Sequence, residues 1–152
     1  MRIAIVAVGR ARQGAVQAMV ADYAKRLPWP LAVHEVEAPA KLAGAERMRR
    51  EAALLAARIP DKATIVALDR RGKALSSEDF AARLGAWRDD GRDLAFLIGG
   101  ADGLEPELLR RASLTLSFGP MVWPHMLARA MLAEQLWRAS AILAGHPYHR
   151  GE

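Results

Sequence analysis

The 152 residues encode one α/β domain built on a parallel sheet, and three observations predict it. Short apolar runs and longer helical stretches alternate five times along the chain, the pattern of a parallel sheet covered on both faces. The runs are continuously apolar rather than alternating, as strands buried on both sides are. The connections are short, and no repeat, low-complexity tract or linker divides residues 1–152.

Ile3-Ala4-Ile5-Val6-Ala7-Val8 is the first strand, ended by Gly9. Gly14 to Leu27 carries apolar residues at Val16, Met19, Val20, Tyr23, Ala24 and Leu27, a helical stripe, and Pro28-Trp29-Pro30 stops it. Leu31–Val36 alternates around His34 and predicts a second strand. Ala45–Ile59 predicts a helix closed by Pro60, with Glu46, Arg47, Arg49, Arg50 and Glu51 as a solvated, i,i+4-paired face. Thr64–Leu68 is the third strand, followed by the polar turn Asp69-Arg70-Arg71-Gly72-Lys73. Ser76-Ser77-Glu78-Asp79 fits a capping box opening a helix to about Trp87. After the turn signal Asp90-Gly91, Leu94–Ile98 is the fourth strand, and a short helix with Pro106 in its first turn follows the glycines beyond it. Leu114–Phe118 is the fifth strand. The last helix runs from about His125 to Leu143 and stops before Gly145-His146-Pro147.

Composition narrows the chemistry. An apolar share of 52% excludes a disordered chain. With no cysteine there are no disulfides, thiolate zinc sites, iron–sulfur clusters or thiol nucleophiles, which fits a reducing compartment. No apolar run approaches the ~18 residues of a membrane span, and the first strand is too short for a signal segment, so a cytoplasmic protein is expected. The net charge of +5 rests on 18 Arg against 4 Lys. Such a balance attracts polyanions, and guanidinium groups suit phosphate and base edges. An arginine-biased composition alone would give the same count. Arg10, Arg12, Arg70, Arg71, Arg110 and Arg111 are the surface candidates for such contact.

In an open parallel sheet, ligands bind beyond the carboxyl ends of the strands. Ile98-Gly99-Gly100-Ala101-Asp102-Gly103 places three glycines there within five residues. They either admit a ligand close to the backbone or make a tight strand-to-helix turn. The run is neither a dinucleotide fingerprint nor a P-loop. Gly119-Pro120-Met121-Val122-Trp123-Pro124 is a stiff apolar loop at another strand end, fit to wall an adenine-sized pocket or to lie buried under the last helix. Neither loop brings lysines for a triphosphate. A cofactor carrying its own positive charge suits them better.

The last helix is apolar nearly all round, which predicts burial, here expected in a two-fold interface between chains. Within it Glu134 and Arg138 stand four apart and can pair. The end, His146-Pro147-Tyr148-His149-Arg150-Gly151-Glu152, is by default a frayed tail, yet Tyr148 can stack on a base and Arg150 can hold phosphate. Pro147 disrupts helical spacing between His146 and His149, so no metal site is expected.

Taken together, Ile98-Gly99-Gly100, Asp102-Gly103-Leu104, Pro124-His125, Ala133-Glu134-Gln135-Leu136-Trp137-Arg138-Ala139 and His146-Pro147-Tyr148-His149-Arg150 resemble the bacterial large-subunit rRNA pseudouridine N3-methyltransferases of the SPOUT class, across the whole chain. The resemblance implies a C-terminal trefoil knot, a homodimer and S-adenosylmethionine held by Leu68, Gly99, Gly100 and the loop Gly119, Pro120, Met121, Val122, Trp123 and Pro124. It implies as substrate a pseudouridine in the helix 69 loop of 23S rRNA within the assembled ribosome. The Gly151-Glu152 extension departs from the family's ending at His-Arg. For the chemistry, His149 is the first candidate for general base and His125 the second. Arg138, oriented by Glu134, is placed to stabilise charge on the base oxygens. Tyr148 and Arg150 are candidate RNA contacts, and one protomer's tail would complete its partner's pocket. A non-catalytic ribosome-binding α/β module and a flavodoxin-like flavin protein are the competing readings from sequence.

Overall fold

The structure, a computed structural model, describes residues 1–150. Its elements are β1 (Ile3–Val8), α1 (Ala15–Arg26), β2 (Leu31–Val36), α2 (Gly44–Arg58), β3 (Thr64–Ala74), α3 (Ser77–Asp89), β4 (Leu94–Ile98), α4 (Pro106–Arg110), β5 (Leu114–Ser117) and α5 (His125–Leu143), with a final 3-10 turn at Pro147–Arg150. The five strands form one parallel sheet in the order β2-β1-β4-β3-β5. The Gly151-Glu152 extension lies outside the described residues.

Side-chain alternation sends each strand's apolar residues to two separate cores. Ile3, Ile5 and Ala7 meet Phe80 and Leu84 of α3 and Leu132 and Leu136 of α5. Ala4, Val6 and Val8 meet Leu55 of α2 and Leu108 of α4 on the other face. Each such fully buried large side chain contributes roughly 1.5–3 kcal/mol of transfer free energy, which is why the runs carry no polar alternation.

Several boundaries follow the expected chemistry. The Asp79 N–H donates to the Ser76 hydroxyl at 3.0 Å, capping α3. Pro106 sits in the first turn of α4, and the Glu105 side chain caps it. Two expectations need correction. The turn after Leu68 is a bulge within a longer β3: its pairing with β5 shifts between Leu68 and Lys73, and Asp69–Gly72 loops out. Asp69 holds the bulge by accepting from the Arg71 N–H and guanidinium. Gly72 is required because an added Cβ would lie 2.5 Å from the Thr115 carbonyl oxygen. The charged face of α2 is not all solvated, since Glu51 is buried against the sheet.

Helix α5 is covered for the most part by its own chain. Its all-round apolar character is met inside its own chain: Ala130 and Ala133 pack on Val16, Val20 and Tyr23 of α1, while Leu132, Leu136 and Ala139 face α3 and the sheet. Leu127, by contrast, is 37% exposed. What stays uncovered is a narrow apolar groove of about 250 Å³ between α1 and α5, lined by Met19, Tyr23, Leu127 and Met131 and edged by Glu134. The tail, too, is ordered against α5 rather than frayed. No helix among the described residues is long and apolar enough to cross a membrane.

Candidate functional site

Beyond the carboxyl ends of β3, β4 and β5 lies a cleft of about 780 Å³. Its lining includes Leu68, Ile98, Gly99, Gly100, Phe118, Gly119, Met121, Val122, Trp123, Pro124 and His125. Pro120 belongs to the same loop without lining the cleft. The loop wall is open to solvent: Met121, Val122 and Trp123 are 71%, 75% and 41% exposed. Three consecutive exposed apolar side chains on one segment are unusual for a protein surface and mark a candidate binding wall. Gly119, at φ +104°, turns the chain away from β5, and the Ser117 hydroxyl accepts from its N–H at 3.0 Å. That hydroxyl also lies 3.0 Å from the Arg70 carbonyl oxygen, tying the loop to the β3 bulge.

The glycine loop is a turn folded on itself. The Gly103 N–H donates to the Gly100 carbonyl at 3.0 Å, and a Cβ on Gly99 would lie 2.7 Å from the Gly103 carbonyl carbon. A Cβ on Gly100 would lie 3.0 Å from Glu51 Oε2 and 3.1 Å from Val8. Glycine is thus demanded at position 99 by the backbone of the turn, whereas at Gly100 a Cβ would crowd the side chains of Glu51 and Val8.

His125 begins α5 and lines the cleft. Burial first, then the charge of Arg129, lower its pKa, with Glu51 opposing, so the ring is neutral at neutral pH. Arg129, one turn on, is a residue that sequence reasoning missed. It is 2% exposed, pairs with Glu35 and donates to the carbonyls of Val8 and Gly9. It therefore fixes the end of β1, and a Cβ on Gly9 would lie 3.2 Å from the His125 ring. The only signal was an acid, Glu35, beside His34 in the second strand.

A second cluster forms along α5. The Arg138 guanidinium donates to Glu134 through Nε at 3.0 Å and through Nη2, and the Tyr148 hydroxyl donates to the same carboxylate at 3.1 Å. Arg138 lies 5.0 Å over the Tyr148 ring, which leans on Trp137 at 5.7 Å. Burial, then the Glu134 charge, push the Tyr148 hydroxyl up to about 12. His149 bridges Arg138 Nη1, 3.2 Å from its Nδ1, and Glu78, 2.8 Å from its Nε2. With Arg138 donating, Nδ1 accepts and Nε2 carries the proton to Glu78. Arg150 is exposed beside this group.

The fold thus gathers the expected residues into two groups rather than one. His125 belongs to the cleft, whereas Glu134, Arg138, Tyr148 and His149 stand at the other half of α5; thirteen residues of helix separate His125 from Arg138, about 20 Å. Of the surface arginines, Arg10, Arg71 and Arg110 pair with Glu37, Asp69 and Glu107, and Arg12, Arg70 and Arg111 are exposed. No group of three or more acidic or histidine side chains among the described residues is placed to hold a metal.

The family described as predicted SPOUT methyltransferase matches residues 1–149. The chain is 60% identical to the ribosomal RNA large subunit methyltransferase H of Rhodospirillum centenum, with 99% of both chains covered. It is 55% identical to the protein of the same name from Paramagnetospirillum magneticum, again over 99% of each. Among solved structures it is similar in fold to a probable methylase family protein from Haemophilus influenzae Rd KW20, at a TM-score of 0.58 and 12% identity, over 95% of this chain and 69% of that one.

Proposed function

Because this chain belongs to the SPOUT methyltransferase family, we propose that it methylates N3 of a pseudouridine in the helix 69 loop of 23S rRNA on the assembled ribosome, with S-adenosylmethionine as donor. It is a methyltransferase rather than the non-catalytic binding module or flavin protein that its composition also allowed. The names of its relatives support large-subunit rRNA as the substrate.

The cleft fits the donor. Its volume lies within the range of small-molecule sites. Its walls are apolar, and its lining charges balance, with Asp69 and Asp102 against Arg70 and Arg71. Leu68, Gly99, Gly100 and the loop from Gly119 to Pro124 would hold the nucleoside and methionine parts. When bound, the donor supplies a methyl group on a positively charged sulfur, ready for in-line displacement.

The chain's own residues then position and activate the base. His125, neutral and facing the cleft, accepts the imide proton from N3. Arg138, held in line by Glu134, stabilises the negative charge left on the base oxygens. His149 has both ring nitrogens engaged by Arg138 and Glu78, so its part is to hold Arg138 rather than to take a proton. Tyr148 stacks on the base and Arg150 meets phosphate.

These two groups cannot meet within one chain. The single observation that carries a homodimer is their separation along α5, with the uncovered groove of Met19, Leu127 and Met131 between them. A second copy seated on that groove in a two-fold manner brings each tail to the partner's cleft. A knotted C-terminal path is what membership of the family implies.

The test is methylation of purified ribosomes lacking the mark, read by mass spectrometry of the 23S rRNA loop. A methyl group on N3 of pseudouridine is expected. Modification of another base, or of free rRNA in preference to ribosomes, overturns the assignment.

A further inference from the structure

Glu51 is unusual among the charged groups of this protein. It is 3% exposed, and its Oε1 is buried without a hydrogen-bond partner. Its Oε2 accepts from Arg47 Nε at 3.2 Å, and Arg47 itself is one-third exposed. A buried carboxylate with one unmatched oxygen is costly, by the full desolvation of that atom. Val8, which shares with it the space behind Gly100, is apolar and makes no demand for an acid there.

Position gives the cost a use. Both carboxylate oxygens lie 3.0–3.3 Å from where a Gly100 Cβ would be, and Gly100 lines the cleft. One glycine backbone is therefore all that separates the acid from the cleft floor. Of the acids in the lining, Asp69 is already paired with Arg71, and Asp102 stands in the exposed rim of the glycine turn rather than in a buried layer. Glu51 is thus the incompletely matched negative charge beneath the floor, in a low-dielectric layer where charge acts over longer distance than in water.

Resting on the donor assignment above, we propose that Glu51 is a specificity-determining residue that favours the positively charged sulfonium donor over the neutral thioether product formed from it. It acts through the glycine floor without touching either ligand. Transfer of the methyl group to the base carries the donor's positive charge away, because the sulfur keeps the bonding pair and becomes a thioether. The attraction from Glu51 is then lost, and spent product leaves for fresh donor.

Calorimetric titration at pH 8 with S-adenosylmethionine and, separately, S-adenosylhomocysteine reads this directly as a ratio of affinities. Glu51→Gln preserves the shape beneath Gly100 and is expected to lower the donor-to-product affinity ratio roughly three- to tenfold. Arg47→Gln, which removes the counter-charge at the edge of the fold, is expected to move the ratio the other way. Equal weakening of both ligands in Glu51→Gln, or an unchanged ratio in both variants, overturns the proposal. If the unaltered protein binds neither ligand, the donor assignment itself falls and this inference with it, whereas binding of both with no charge preference in any variant sinks the inference alone.

Discussion

Arg129→Met is the perturbation whose size the structure fixes best. The guanidinium is 2% exposed, bonded to Glu35 and to two backbone carbonyls at the end of β1. Methionine fills most of the volume, so the loss is one of charge and hydrogen bonds and not of packing. Removing one partner of a buried pair costs about 3–5 kcal/mol, and because Glu35 keeps about a quarter of its surface in water the low end applies. For a domain of this length, about 3 kcal/mol lowers the melting temperature by roughly 6–12 °C. The pH dependence is a second signature. Burial pushes the Glu35 carboxyl up, but the Ala11 N–H, Arg129 and Arg10 outweigh it and hold the pKa below its ordinary 4.5. A depressed carboxyl contributes stability above the unfolded pKa and loses it as pH falls through the folded one. The gap between the two proteins should therefore be full at pH 7 and close on acidification below about 4.5. Thermal melts followed by circular dichroism at pH 7 and at pH 3–4 measure both. Glu35→Gln in the same background should add little to Arg129→Met, because the pair is already broken. A loss under 2 °C at pH 7, or a gap that persists undiminished in acid, would refute the reasoning.

Gly72→Ala forces a Cβ to 2.5 Å from the Thr115 carbonyl oxygen, a backbone atom that cannot swing aside; a cost of about 2–3 kcal/mol is expected in urea unfolding. In alkaline titration followed by ultraviolet absorbance, one of the two tyrosines should ionise near 12, and Tyr148→Phe should abolish that step. A raised tyrosine pKa contributes stability that is present below the unfolded value near 10 and is lost as pH rises through the folded one, so the protein should lose stability between about 10 and 12. Mixing His125→Ala with Arg138→Ala protomers should recover about a quarter of wild-type methylation from two inactive proteins, because half the dimers are mixed and each has one intact composite site. No recovery would count against sites shared between chains.

The alternation of strands and helices was legible in the sequence because burial on both faces leaves an unbroken apolar run, as in Ile3–Val8 and Leu94–Ile98. The members of the cleft were legible because glycine and proline cluster at strand ends. Tertiary demands were not. Gly100 looks like a place where a ligand approaches, yet the atoms a side chain there would crowd belong to Glu51 and Val8 beneath it. Glu51 looked like one charge among five on a solvated face, since i,i+4 pairing with Arg47 reads the same whether the pair is wet or dry. Arg129 was invisible because its partners, Glu35 and the β1 carbonyls, lie more than ninety residues away in sequence. Local pattern reports which face a residue takes; it does not report what another segment later places against it.

Helix α5 connects these points. At its first residue His125 faces the cleft; one turn on, Arg129 clamps β1; about one and a half and two and a half turns further, Glu134 and Arg138 anchor the tail. Its nineteen residues span about 28 Å, and a rigid rod flanked by α1 and α3 cannot bend its two ends together. A chain that spends its most apolar helix on holding two polar groups apart has gained nothing for single-chain chemistry. If two such rods instead lie side by side in opposite directions, each first turn meets the other's tail. The same length that separates the groups in one chain then sets their register in two. On this geometry the Met19–Met131 groove is the place to break the protein: a charged side chain at Leu127 should leave each fold intact while abolishing methylation and halving the mass in solution.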